Sequence, residues 1–529
     1  MTTKGIGNIP PRILSSSRAF CLGVGLAIAI VAQSSVSLGE GVTAQEPMEA
    51  RVTKLTPSLD VYIENGMKAF DLPGLAMGIV VGDKLVYAKG FGIDRKGGAA
   101  VDSETVFQIG STTKAFLAAT MAVAVDKGKF AWDDRIVDLY PEFQLKDPWV
   151  TREFRMFDII SQRSGLPSYA NDSYGILGAN ETQKIQSLRH VEPESSFRSR
   201  FTYTNITHLV AQRIVARLMD APDWQTVLAQ EIFAPLGMTK SSTSLEAIEA
   251  SPKHARGYDW SPSGVREVPF TRQMPYDFGG AGAINSTVID LGKWVRLQLA
   301  DGTFEGRTIV SAESLAATRT PRIAITDRVS YAMGWVVQST PNGNVTFHNG
   351  STLGFGSYVG MALDHDVGVI VLTNSKNVGL PDAIGAWTLD RLLGNPEFDY
   401  AAVKLKEAKA ADEADRRKFD RPVDPSASIP VDPLAGAYAN PVFGDASVKV
   451  DEGTLSILLT TIGTTLRLSP WSGDVFAVTV LPDGGRQVLA ENIGRAPIGF
   501  AQFRVNSSGR MDSFNLTLAG KDEYLFTRK

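Results

Sequence analysis

Apolar and polar positions change rhythm several times along the chain. Residues 55–70 carry apolar side chains at helical spacing and stop at Pro73-Gly74. Two strand-like runs follow, 75–81 and 85–87, joined by the turn residues Gly82-Asp83. A similar pair, 356–363 and 367–373, flanks Asp364-His365-Asp366 much later. The stretch between, roughly 111–330, is mainly helical in pattern. Strands at both ends of a largely helical stretch predict an α+β domain, with one antiparallel sheet assembled from both ends and a helical lobe between. A cleft is expected where sheet and lobe meet.

Beyond about residue 395 the pattern shifts. Residues 400–417 are rich in Ala, Lys, Glu, Asp and Arg, and Pro422, Pro425, Pro430 and Pro433 follow. Two readings stand side by side: a solvated helix running into a stiff linker, or a surface helix of the preceding domain. From 434 to 529 short strands alternate with turn signals, among them Asp451-Glu452-Gly453, Asp483-Gly484-Gly485 and Ser508-Gly509. About eight such strands predict a small closed all-β barrel that folds as a separate unit, because closure leaves no open edge. At the other end, Lys4, Arg12 and Arg18 precede the apolar run 20–32, and Val42-Thr43-Ala44 offers a cleavage site. This reads as an export signal, too short for an ordinary spanning helix, with an uncleaved anchor as the alternative. The expected organisation is a signal over 1–44, a main domain over 50–395, helix and linker over 396–433, and a barrel over 434–529.

Composition narrows the field of functions. A chain of 529 residues exceeds one ordinary core, and 43% hydrophobic with 21% charged residues is typical of globular proteins. A net charge of −4 gives no reason to expect nucleic acid. The five histidines lack zinc-site spacing, so no metal or other cofactor is expected. Cys21, the only cysteine, lies within the signal, which leaves no disulfide in the mature chain.

Candidate chemistry centres on Ser111-Thr112-Thr113-Lys114, where a strand-like run meets an alanine-rich helix. A serine entering a helix has free backbone N–H groups beside it, and a lysine at i+3 lies on the same face. Burial would lower the lysine's proton affinity and fit it to act as a base. Such a pair is weak alone, since about two matches arise by chance at this length. Two further patterns follow in order: Tyr203-Thr204-Asn205 after Phe201, and His348-Asn349-Gly350-Ser351 ahead of a strand.

Together these motifs resemble the serine β-lactamase and penicillin-binding-protein superfamily. The nearest branch is the class C β-lactamase-like group of D-aminopeptidases, esterases and carboxypeptidases. Asp158-Ile159-Ile160-Ser161-Gln162-Arg163-Ser164-Gly165-Leu166-Pro167, Pro235-Leu236-Gly237-Met238 and Gly279-Gly280-Ala281-Gly282 extend the resemblance over roughly residues 55–390. The tail resembles the lipocalin-like domain often appended to that branch.

The resemblance implies a β-lactamase/transpeptidase-like sheet flanked by helices and an acyl-enzyme on Ser111. Lys114 and Tyr203 would share the proton transfers; a phenol beside an ammonium can sit nearer its phenolate form, and the sequence leaves open which of the two holds the proton. Asn205 would hydrogen-bond a substrate amide and help fix Lys114. The oxyanion would meet the backbone N–H groups of Ser111 and Ser351, next to Gly350. Tyr169-Ala170-Asn171 and Tyr438-Ala439-Asn440 compete for the tyrosine's role, but only Tyr203 precedes a helical run as the family's tyrosine does. His348 stands where many β-lactamases carry lysine, so it is expected to meet substrate as a neutral group and to disfavour penicillins. No Gly-x-Ser-x-Gly elbow is present, against an α/β-hydrolase.

The implied activity is an exported, periplasmic or secreted, serine hydrolase acting on small peptides, including ones with D- or non-standard residues. Linearised microcystin is one such peptide, though no residue singles it out. A class C-like β-lactamase or carboxylesterase is the alternative enzyme, and a penicillin-binding sensor or binding scaffold the alternative of another kind. A peptide or ester is the expected partner, with no nucleic acid and no stable membrane insertion after signal removal; a homo-oligomer through the barrel is allowed.

Overall fold

The computed structural model describes residues 46–483, 486–493, 497–518 and 522–529. The export signal expected over residues 1–44 lies outside the described residues. The expected α+β class holds: a mixed sheet-and-helix domain is followed by a closed, eight-stranded antiparallel barrel.

Helix α1 (Met48–Ala69) leads into strands β1 (Gly74–Val81) and β2 (Lys84–Gly92). The remaining strands of the large sheet come late: β3 (Ile323–Ala324), β4 (Val329–Tyr331), β5 (Val336–Thr340), β6 (Gly343–Ser351), β7 (Gly356–Ala362) and β8 (Val367–Thr373). Their order is β2-β1-β8-β7-β6-β5-β4-β3, with β1 antiparallel to β8 and Leu75 opposite Thr373. The two ends of the domain are thus neighbours within the sheet, one strand in from its β2 edge. Strands β1 and β8 are largely apolar and buried, apart from the partly buried Val81, because helices cover both faces. Met77, Ile79, Val369 and Val371 point to α1 and the later helix α6 (Leu380–Leu393), against Leu59, Ile63, Ile384 and Trp387. The alternate residues Ala76, Val80, Ile370 and Leu372 belong to the lobe-side core with Val288, Leu291 and Val295 of α5 (Val288–Leu299).

The lobe forms around α2 (Thr113–Asp126), in which every residue from Thr113 to Ala124 is buried. A helix apolar on all sides belongs at the centre of a domain, and this one carries a single charge there, Lys114. Against it packs α4 (Ile206–Leu218). The short α3 (Asp172–Ile176) lies between site and barrel.

Helix α7 (Tyr400–Arg417) settles the two readings of that segment: Tyr400, Ala401 and Leu405 pack on the core under α6, and the Ala401 N–H donates to the Tyr62 hydroxyl at 3.0 Å. It is a surface helix of the main domain. Irregular, exposed chain follows over 421–430.

The barrel strands are β9 (Gly436–Asn440), β10 (Gly444–Asp451), β11 (Thr454–Leu459), β12 (Thr464–Ser472), β13 (Val475–Val480), β14 (Gly499–Val505), β15 (Met511–Leu518) and β16 (Asp522–Arg528). Inward residues alternate along them, as Leu455, Ile457 and Leu459 do on β11. Tyr438, Phe443, Phe476, Phe503, Phe514 and Phe526 fill the interior. This core is not the barrel's alone: Tyr174, Leu177 and Ala179 of the lobe are part of it. The expected closed barrel is present, and the lobe lends its core apolar side chains that sequence distance hides.

Candidate active site

Strand Phe107–Gln108 ends in a single 3₁₀ turn, Gly110–Thr112, that starts α2. Gly110 has φ +50°, and a Cβ on it would lie 2.8 Å from the Ser351 nitrogen. On the opposite side, a Cβ on Gly350 would lie 1.9 Å from the Ile109 carbonyl oxygen. Two glycines therefore let the turn carrying Ser111 close on the end of β6. Ser357, opposite Gly350 on β7, clamps the contact: its hydroxyl donates to Ile109 O at 2.7 Å and pairs with Thr112 Oγ1 at 2.8 Å. Nothing local in the sequence marks Ser357.

Lys114 is 0% exposed, one turn into α2. Its Nζ donates to Ser111 Oγ at 3.0 Å, Asn205 Oδ1 at 2.8 Å and the Ala281 carbonyl at 2.8 Å. It also sits 4.8 Å from the centre of the Tyr203 ring. Tyr203 shares a hydrogen bond with Ser111. Ser111, Lys114, Tyr203 and Asn205 thus converge from the starts of α2 and α4. Tyr169 lies beside the chosen tyrosine, ring centres 5.4 Å apart.

Burial pushes the Lys114 amine down to about 7, and nearby Asp172 offsets part of that shift. Burial also raises the Tyr203 phenol well above its usual value, reinforced by Tyr331 and Tyr169, while its bond to Ser111 acts the other way. The sequence leaves open which of the two groups holds the proton; burial favours the protonated phenol, because an amine near neutrality offers little charge to stabilise a phenolate. Tyr203 keeps its proton; the amine is the group poised to accept one.

His348 lies behind these groups. Its ring is 2% exposed, Nε2 pairs with the Tyr331 hydroxyl at 3.1 Å, and Nδ1 lies 2.6 Å from the Asn349 carbonyl. Burial, then Lys114, lower it to about 3, so the ring is neutral. The sequence reading set this ring against substrate; with both nitrogens engaged inside the protein, it instead braces Tyr331.

Sequence reasoning missed two carboxylates. Asp172 Oδ2 accepts from Asn205 Nδ2 at 2.6 Å, directly behind the Lys114 partner. Asp382, near the start of α6, accepts from Asn349 and Asn377, and Asn377 also donates to Gly350 O at 3.2 Å, fixing the end of β6. Asp172 follows Tyr169-Ala170-Asn171, the motif set aside in favour of Tyr203, so the signal lay beside a rejected match. Among the described residues no group of three or more His, Cys, Asp or Glu could hold a metal, and no helix is long and apolar enough to cross a membrane.

Residues 59–394 match the family model described as Beta-lactamase, and residues 420–528 match a domain of unknown function, DUF3471. An unguisins hydrolase of Aspergillus violaceofuscus is 26% identical over 496 residues, covering 84% of this chain and 87% of that protein. Two solved structures share the fold. The octameric penicillin-binding protein homologue from Pyrococcus abyssi covers 89% of this chain and 100% of its own, at 21% identity and TM-score 0.58. The class C β-lactamase from Rhodobacter sphaeroides covers 68% of this chain and 99% of its own, at 19% identity and TM-score 0.52.

Proposed function

Because the chain belongs to the Beta-lactamase family and is a serine hydrolase of that superfamily, we propose that it cleaves amide bonds of small peptides through an acyl-enzyme on Ser111. One observation carries this reading: a buried amine, held near neutrality, lies 3.0 Å from a serine hydroxyl at the start of a buried helix. As Ser111 Oγ attacks the carbonyl, Lys114 takes its proton and a C–O bond forms. The oxyanion meets the backbone N–H groups of Ser111 and Ser351. When the C–N bond breaks, Tyr203 passes its proton to the leaving amine and is reprotonated from Lys114. Water then attacks the ester by the reverse transfers and releases the acid.

Asn205 holds the Lys114 amine and the substrate amide, and Gly350 admits the close approach of β6. His348, neutral and turned inward on Tyr331, presents no charge to a substrate carboxylate. The relative named as an unguisins hydrolase supports a hydrolase with a dedicated substrate. Export through the 1–44 segment, into periplasm or medium, belongs to the same proposal.

The test is a panel of D- and L-aminoacyl amides, short peptides including linearised microcystin, p-nitrophenyl esters and nitrocefin. Turnover of peptides above the rest is expected; preferential turnover of nitrocefin or esters would favour the alternative enzymes. Ser111→Ala should lower turnover at least about a thousandfold, on the order of 4 kcal/mol. Tyr203→Phe should be nearly as damaging and Tyr169→Phe nearly silent. Full activity in the alanine variant would end the acyl-enzyme reading. Light scattering on the same preparation reads out self-association, as in the octameric Pyrococcus homologue.

A further inference from the structure

The Asp172 carboxylate lies at a junction of two units. On one side it accepts the Asn205 amide at 2.6 Å, and Asn205 Oδ1 in turn accepts from Lys114 Nζ at 2.8 Å. On the other side its two chain neighbours are both held by one strand of the barrel. The Tyr524 hydroxyl donates to Asn171 Oδ1 at 3.1 Å, and Ser173 Oγ donates to Asp522 Oδ2 at 2.7 Å. Asp522 and Tyr524 are two apart on β16, so they share one face of the strand. The bracket continues along the chain. The Tyr174 ring meets Phe443 edge-on with centres 4.7 Å apart, and Thr464 Oγ1 donates to the Leu177 carbonyl at 2.6 Å. Residues 173–179 thus plug the barrel, and the residue between the two bracketing bonds is the one that reaches the site.

We propose that Asp172 is a positioning residue for the Lys114 amine, acting through Asn205, and that the C-terminal barrel holds it in place. This rests on the reading of Lys114 as the base. The carboxylate orients the Asn205 side chain so that its oxygen, rather than its amide nitrogen, faces the amine. Its charge also favours the ammonium form, opposing burial. Tyr203, His208 and His348 are the other titratable groups around Lys114; Lys184, Tyr203 and Tyr524 are those around Asp172. Among the described residues, the carboxylate whose charge acts on the Lys114 amine is that of Asp172. The barrel, filled by its own aromatic side chains and by Tyr174, serves as an anchor for this segment.

The experiment follows labelling of Ser111 by a fluorophosphonate, by intact mass across pH, so that no knowledge of the substrate is required. In the wild-type protein the rate should rise through about pH 7 as the amine loses its proton. In Asp172→Asn that limb should move down by about one pH unit, with a plateau at least tenfold lower, and Asp172→Glu should recover part of the plateau. A double variant, Tyr524→Phe with Ser173→Ala, deletes only the two bracketing bonds; it should remain folded and move the limb the same way. Lys529→Ala, which breaks an exposed ion pair with Asp445 elsewhere on the barrel, should leave it unchanged. An unmoved limb in Asp172→Asn would overturn the role of the carboxylate, and an unmoved limb in the folded double variant would overturn the barrel's part. No labelling of wild-type Ser111 at any pH would sink the reading of Lys114 itself, and this coupling with it.

Discussion

A lysine buried on every side costs stability in its charged form, and the chain bears that cost at Lys114. Unfolded, such an amine holds its proton to about pH 10.4; folded, it releases it near 7. Between those values the unfolded state binds more protons, so stability rises with pH across this window, and below pH 7 the penalty is fully present. The shift is worth on the order of 4–5 kcal/mol, against about 1 kcal/mol for each of the three hydrogen bonds the amine makes. Lys114→Met is therefore expected to melt at a higher temperature than the wild type at pH 7 while losing activity. Thermal scans should show the gap closing toward pH 10. His348 allows a second prediction. Its buried ring braces Tyr331, so a lysine there adds a second cation beside Lys114 and does not reach a substrate carboxylate. In His348→Lys the ratio of kcat/KM for a carboxylate-bearing peptide to that for its amide should stay unchanged, while the acid limb moves to lower pH.

Elements explain why part of the site was legible. Ser111 with Lys114, and Tyr203 with Asn205, lie within single turns at the starts of α2 and α4, so local spacing reveals them. The pairing of β1 with β8 was foreseen in outline because two hairpin-like patterns stood at the ends of a helical stretch. Strands β3 and β4 were not, since two or three residues establish no alternation and they fall within the stretch read as lobe. Ser357, Asp382 and Asp172 act across elements distant in sequence, which no spacing rule marks. The contact of the 3₁₀ turn with β6 gives the prediction at this scale. Gly350→Ala puts a methyl group 1.9 Å from Ile109 O, so the strand end must retreat from the turn. A misplacement near an ångström should cut kcat about a hundredfold. The overpacking itself costs only about 1–3 kcal/mol, so the fold should survive with a lowered Tm. Kinetics paired with calorimetry separate the two effects.

At the scale of the whole molecule, barrel and lobe share apolar surface. A protein ending at Pro430 should expose Tyr174, Leu177 and Ala179, bind a hydrophobic dye, self-associate and label more slowly at Ser111. A monomer with full labelling would show that the lobe keeps its arrangement unaided. The sheet carries a different consequence, one of timing. The Gly74 N–H bonds the Asn374 side chain 300 positions away, alongside the pairing of β1 with β8. On a ribosome adding about 5–20 residues per second, some 15–60 s separate the two partners. Through that interval the apolar strand Gly74–Val81 has a bare edge open to any neighbouring chain. Yield in a heterologous host should then depend on how well nascent chains are shielded, and slower growth with added holdase chaperone should raise it more than any change to the site.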